Sequence, residues 1–92
     1  MNRHTLTRIS EEAFHELTRI KQTTNLPHQT VMQLAIAKEV TESDLLKYLV
    51  SKGRKHIRIS QDALATLKAL NGFKIDIARL LSLKIHKLSL EV

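Results

Sequence analysis

Apolar positions along the chain follow two spacings, and the order in which they recur sets the expectation for the fold. Residues 4–9 alternate in the manner of a half-buried strand, and residues 54–59 do so again. In the second stretch Lys55, Ile57 and Ile59 fall on one face, and Arg54, His56 and Arg58 on the other. After each stretch the spacing becomes helical. Ala13, Leu17 and Ile20, with Phe14 beside them, make one stripe; Ala63, Leu64, Leu67 and Leu70 make its counterpart. A second helix follows in both places. Val31, Leu34 and Ala35 carry the first, with Met32, Ile36 and Val40, while Ile77, Leu80, Leu81, Ile85 and Leu88 carry the other.

Punctuation agrees with these spacings. Ser10 and Ser60 stand where N-caps belong, with Glu11 and Glu12, or Asp62, in the first turn that a helix dipole favours for anions. Asn25 and Gly72 suit the left-handed residue that ends a helix. Pro27, and Lys74 or Asp76, open the next helices. Between the two halves, Thr41-x-x-Asp44 reads as a capped connecting helix that Gly53 ends. Its Leu45, Leu46, Leu49 and Val50 are expected in the core, the alternative being a seam over residues 45–50 for a protein partner.

The two halves are a repeat. Residues 8–17 align with residues 58–67, and five of the ten positions are identical: Arg, Ile, Ser, Ala and Leu. A lone strand cannot satisfy its backbone N–H and C=O groups. Pairing residues 4–9 antiparallel with residues 54–59 solves this within one chain. The expected fold is therefore mainly α with a two-stranded antiparallel ribbon. One domain, residues 1–92, would hold repeats at 3–40 and 54–88 joined by residues 41–53.

Composition narrows the chemistry. Apolar residues reach 42% but aromatics only 3%, so the core must be aliphatic. The absence of cysteine removes disulfides, thiolate metal sites and cysteine nucleophiles. The first residues lack the apolar stretch of a signal peptide, and no uncharged apolar run approaches the roughly 20 residues that span a bilayer. A cytoplasmic protein with no membrane association is expected. Five histidines are present, but none has the spacing of a metal site, His4 and His56 across the ribbon being nearest to a pair. Glu11 and Glu12 point apart, as neighbours on a helix do. Without a glycine-rich phosphate loop or a nucleophile elbow, neither enzyme activity, metal nor cofactor is expected.

Charge is one-sided. Residues 1–46 hold five basic and six acidic side chains, whereas residues 47–92 hold ten basic and three acidic. No acid occurs from Lys47 to Gln61, where Lys52, Arg54, Lys55 and Arg58 crowd together with His56. A basic concentration of this kind is the electrostatic footprint of a polyanion binder.

The strand ending Thr7-Arg8-Ile9-Ser10-Glu11-Glu12-Ala13, then Leu17, Ile20 and the turn Asn25-Leu26, resembles the ribbon-helix-helix family of DNA-binding proteins. His56-Ile57-Arg58-Ile59-Ser60, Leu67 and Asn71-Gly72-Phe73 repeat the likeness. Family members are usually homodimers that place a two-stranded ribbon in the DNA major groove, so this chain looks like a tandem version, a pseudo-dimer in one polypeptide. The resemblance implies base contacts from Arg54, His56 and Arg58 on one strand and His4, Leu6 and Arg8 on the other. It implies phosphate contacts at the start of each second helix, at His28 and Gln29 and at Lys74 and Ile75; Lys52 and Lys55 add basic charge nearby. The implied function is sequence-specific binding of double-stranded DNA by a small transcriptional regulator, or by an accessory protein of plasmid or phage DNA processing, with self-association on DNA. The alternative is a protein-interaction subunit of a DNA-modification complex or a toxin–antitoxin pair.

Overall fold

The computed structural model describes residues 4–47, 55–72 and 75–92. Among these lie two strands, β1 (His4–Ile9) and β2 (Lys55–Ser60), and five helices: α1 (Glu11–Thr24), α2 (His28–Ile36), α3 (Glu42–Lys47), α4 (Gln61–Ala69) and α5 (Ile77–Ser89). β1 precedes α1 to α3, and β2 precedes α4 and α5. The strands pair antiparallel in one register, from His4 opposite Ser60 to Ile9 opposite Lys55. The fold is thus mostly helical with a two-stranded ribbon.

Alternation sorts the faces of that ribbon. Ile9, Ile57 and Ile59 are buried and Thr5 and Thr7 half-buried, whereas His4, Leu6, Arg8, His56 and Arg58 are exposed. Thr5 and Thr7 can occupy the core side because β-branched side chains fit the pleat, here opposite Ile59 and Ile57. Lys55 falls on the same side but at the ribbon's end. Its ammonium reaches out over the Phe14 ring, 5.7 Å from the centroid.

The serine caps form as the sequence suggests. Ser10 Oγ accepts the Ala13 N–H and Ser60 Oγ the Ala63 N–H, each at 3.1 Å. Asn25 ends α1 in the left-handed region with φ 57°. Gly72 does not repeat this, and its φ is not positive. Instead α4 ends right-handed at Leu70, and the Asn71 side chain closes the turn. Its Nδ2 donates to Ile75 O at 2.6 Å and its Oδ1 accepts the Ile75 N–H at 3.3 Å.

The second helix of each repeat packs over the strand and first helix of the other: α5 on β1 and α1, α2 on β2 and α4. The repeats are interleaved, so neither closes a core alone. α5 is the central element, burying Leu80, Leu81, Leu83, Ile85 and Leu88 together with Ser82, Lys84 and Ser89. Met32, Val31, Ala35, Leu17 and Ile20 complete the interior. Removing a leucine or isoleucine from water in this way stabilises by roughly 1.5–3 kcal/mol each.

Most polar groups taken inside with α5 find partners; among the described residues, Arg79 Nε is buried without one. The buried Ser10 N–H donates to Ser82 Oγ at 2.9 Å, and that hydroxyl donates onward to Ala78 O at 2.6 Å. The Lys84 ammonium donates to Ile36 O at 3.0 Å and to Lys38 O, carbonyls at the C-terminal end of α2 where a cation is favoured. Burial nevertheless pushes the Lys84 pKa down from 10.5. Lys87 reaches Glu39 O and Asp44 Oδ2 at 2.6 and 2.7 Å. On the other flank, Glu16 Oε2 lies 2.7 Å from His86 Nδ1 and accepts from Ser89 Oγ at 2.6 Å.

Three expectations for the core fail. Leu70 is 51% exposed, because α4 stops at Ala69 and leaves it at the rim of a groove between α2 and α4. Leu34 faces outward on α2. On α3 nothing is buried; Leu45 is half-buried and Leu46 is 79% exposed. This helix has only six residues, and its N-terminus is what is tied down. Asp44 Oδ2 accepts the Thr41 N–H at 2.8 Å and Thr41 Oγ1 accepts the Asp44 N–H at 3.2 Å, the reciprocal box expected there. Leu49, Val50 and Gly53 lie outside the described residues. No helix of the described residues is long and apolar enough to cross a membrane.

Candidate nucleic-acid interface

Six-residue strands in regular register put every second side chain on one surface, and here that surface is the one turned away from the helices. Three cross-strand pairs lie on it: His4 with Ser60, Leu6 with Arg58, and Arg8 with His56. All but the half-buried Ser60 are exposed. No acidic side chain belongs to either described strand. Arg8 and Arg58 therefore sit on adjacent strands, close to the middle of a cationic face whose reverse side is the apolar core.

His56 orders part of this face. Arg8 Nε donates to His56 Nε2 at 3.3 Å, which requires the imidazole tautomer with its proton on Nδ1. A guanidinium held at Nε still presents its two terminal amino groups outward, the fork that matches a pair of acceptors.

A second histidine joins the ribbon to a helix end. His28 opens α2, and its Nε2 donates to Arg58 O on β2 at 2.7 Å, while its Nδ1 lies 3.4 Å from Lys21 Nζ as the acceptor. The imidazole thereby fixes the start of α2 against the strand that carries Arg58. Pro27 is the N-cap of α2 and supplies no side-chain hydrogen bond, so the first-turn amides at His28 and Gln29 meet no side-chain cap. Lys21 adds positive charge at the same corner.

The corresponding end of α5 is different. Asp76 Oδ1 accepts the Ala78 N–H at 3.1 Å, so a carboxylate already occupies the helix N-terminus. The Ile75 N–H is bound by Asn71. A phosphate would meet a like charge there and no free amide from Ile75. Of the residues singled out from the sequence, the structure brings His4, Leu6, Arg8, His56 and Arg58 onto one face, with His28 and Gln29 beside it. Lys55 is at the far end of the ribbon over Phe14. Arg54, Lys52 and Lys74 lie outside the described residues.

The sequence reading missed what His28 does. Its position at a helix start suggested an anion contact, whereas its side chain is a strut between α2 and β2. A signal was present, since an imidazole one residue after a proline N-cap can fold back onto a neighbouring strand edge, but only the placement of β2 makes it legible. His4 lies opposite Ser60, not His56. Among the described residues no group of three or more His, Asp or Glu side chains is arranged to hold a metal ion. Comparison with known protein families, curated proteins and solved structures gives no match.

Proposed function

We propose that the chain binds double-stranded DNA by laying the exposed face of its β1–β2 ribbon into the major groove, as a tandem ribbon-helix-helix pseudo-dimer. The observation that carries this reading is the ribbon itself: two antiparallel strands, acid-free in the described residues, presenting Arg8, Arg58, His4, His56 and Leu6 on the side opposite the core. The B-DNA major groove is wide enough for a two-stranded β ribbon, and arginine contacting guanine O6 and N7 is its commonest specific contact. The interleaved repeats support the same reading, because the ribbon is then the joint product of both halves. At one flank the uncapped start of α2, with Lys21 beside it, offers amides and charge to a backbone phosphate. No residue is asked to perform covalent chemistry. Occupancy would block or organise a site, as in a cytoplasmic transcriptional regulator or an accessory protein of plasmid or phage DNA processing.

Duplex binding measured across a salt series, with wild type beside Arg8→Ala/Arg58→Ala, tests this. Affinity should fall steeply with salt, and the double variant should lose roughly 1–3 kcal/mol per arginine on a selected duplex. Both arginines are exposed, so the variant should unfold at the same denaturant concentration as wild type. No binding at low salt would overturn the proposal.

A further inference from the structure

Where both members of an equivalent pair are described, the ribbon face is symmetric in Arg8 and Arg58 and asymmetric in Leu6 and His56. Thr7 pairs with Ile57, and these two are related by the same offset that relates Arg8 to Arg58 in the repeat. The twofold relation of the repeat therefore passes through that pair. About it Arg8 exchanges with Arg58, and Leu6 exchanges with His56. The arginines match. Leu6 and His56 do not, and they differ in the property that a base edge can sense.

Leu6 is the anomaly. It is 62% exposed in the middle of a cationic surface, on the strand face where a polar residue is the norm. Nothing in the ribbon calls for an apolar group there, since the core lies on the opposite side. In the major groove the apolar feature of the base edges is the thymine C5-methyl. His56, in the equivalent place, accepts from Arg8 at Nε2 and is left with an Nδ1–H donor. Purine N7 accepts such a donor.

We infer that the ribbon reads an imperfect inverted repeat, with guanine at the same position in both half-sites and with a neighbouring equivalent position that differs, thymine under Leu6 and a purine under His56. This inference rests on the duplex-DNA reading above. It assigns Leu6 and His56 as the residues that set the polarity of the complex on its site, while the two arginines contribute equally to both orientations.

Selection of duplexes from a random pool by the full chain gives the first readout: paired guanines flanked by thymine on one side only. Replacing that thymine by deoxyuridine removes the methyl group and should weaken wild-type binding about fourfold, the worth of one buried carbon. Leu6→Ala should bind the two duplexes equally; Leu6 is exposed, so the variant keeps the fold. His56→Leu should shift the selected site toward a perfect inverted repeat with thymine in both halves. An exact inverted repeat selected by wild type, or indifference of wild type to the methyl group, overturns the inference while arginine-dependent binding leaves the DNA reading standing. Failure to retain any duplex at low salt overturns both.

Discussion

Ile20 and Leu70 occupy the same position in the two repeats, yet Ile20 is 1% exposed and Leu70 is 51% exposed. The helices around them explain the difference. α1 runs from Glu11 to Thr24 and lies along α5, so its stripe of Ala13, Leu17 and Ile20 is buried throughout. α4 ends at Ala69 and buries Leu67 alone. The second helices compensate in reverse, α2 ending at Ile36 while the longer α5 fills the centre of the molecule. A repeat in sequence has thus become a division of labour. The α1–α5 side carries most of the core, and the α2–α4 side leaves an apolar groove bordered by Ile36, Ala37, Ala63 and Leu70.

The sharpest way to break this comparison is to truncate the paired positions. Ile20→Ala should cost about 2–5 kcal/mol, since an aliphatic side chain is lost from a closed core. Leu70→Ala should stay within about 0.5 kcal/mol, the range of an exposed substitution. Urea unfolding of both variants measures the difference. Equal costs would mean that the two sides are equally closed.

A smaller effect separates the two serine-capped corners. Ser10 hands its buried N–H to Ser82 on α5, and by the repeat the position equivalent to Ser82 on α2 is Ala35. Ser82→Ala leaves the Ser10 N–H without its acceptor in a place closed to water, at a cost of about 1–3 kcal/mol. Crystal or solution structures of the variant with the N–H newly paired to another group, and an unchanged urea midpoint, would contradict this.

Much of the architecture was readable from residue order because it rests on local rules. The alternation of Lys55, Ile57 and Ile59 against His56 and Arg58, the serine caps and the left-handed Asn25 all follow from spacing within a few residues. What escaped depends on groups distant in sequence. Lys84 lies in an apolar helix, and its place under the C-terminal carbonyls of α2 follows only from the crossing of α2 and α5. Leu70 and Leu46 continue apolar stripes, and a stripe says that a face is apolar without saying that a neighbour covers it. In the candidate interface the same division holds. The exposed face of β2 was legible from alternation and the start of α5 at Asp76 from local punctuation, whereas the His28 strut, which joins residues 30 apart, required the tertiary arrangement.

The two helix starts beside the ribbon give a further comparison. His28→Ala removes the bond to Arg58 O and should cost about 1 kcal/mol of stability, the worth of a typical hydrogen bond. It should also weaken duplex binding, because α2 is no longer fixed against β2. Asp76→Ala removes the cap of α5 and costs about the same stability, in the usual range for a lost N-cap. Its effect on DNA should run the other way, since a repelling carboxylate is gone. Salt-dependent binding of both variants checks the opposite signs. A loss of affinity in both would show that the two ends act alike.

The weakest tie worth testing is the one that holds α3, where the capped end and the leucine face contrast. Lys87 donates to the Asp44 carboxylate, and this is the main reason that its pKa is held down to about 2 from 3.8; the Thr41 N–H contributes next. A carboxyl group whose pKa is lowered in the folded state binds its proton more readily when unfolded. It therefore stabilises the fold fully above about pH 4, and that contribution fades as pH falls toward 2. Asp44→Asn should remove this segment of the pH dependence while leaving the rest of the acid transition in place, and Lys87→Met should remove the larger part of it. Leu46→Ala, on the exposed side of the same helix, should change neither the pH profile nor the stability by more than about 0.5 kcal/mol. Thermal unfolding of the four proteins from pH 2 to pH 5 distinguishes the cases. If Asp44→Asn follows the wild-type curve through that window, α3 is not held by its cap; if Leu46→Ala is the variant that unfolds early, the leucine face is what holds it.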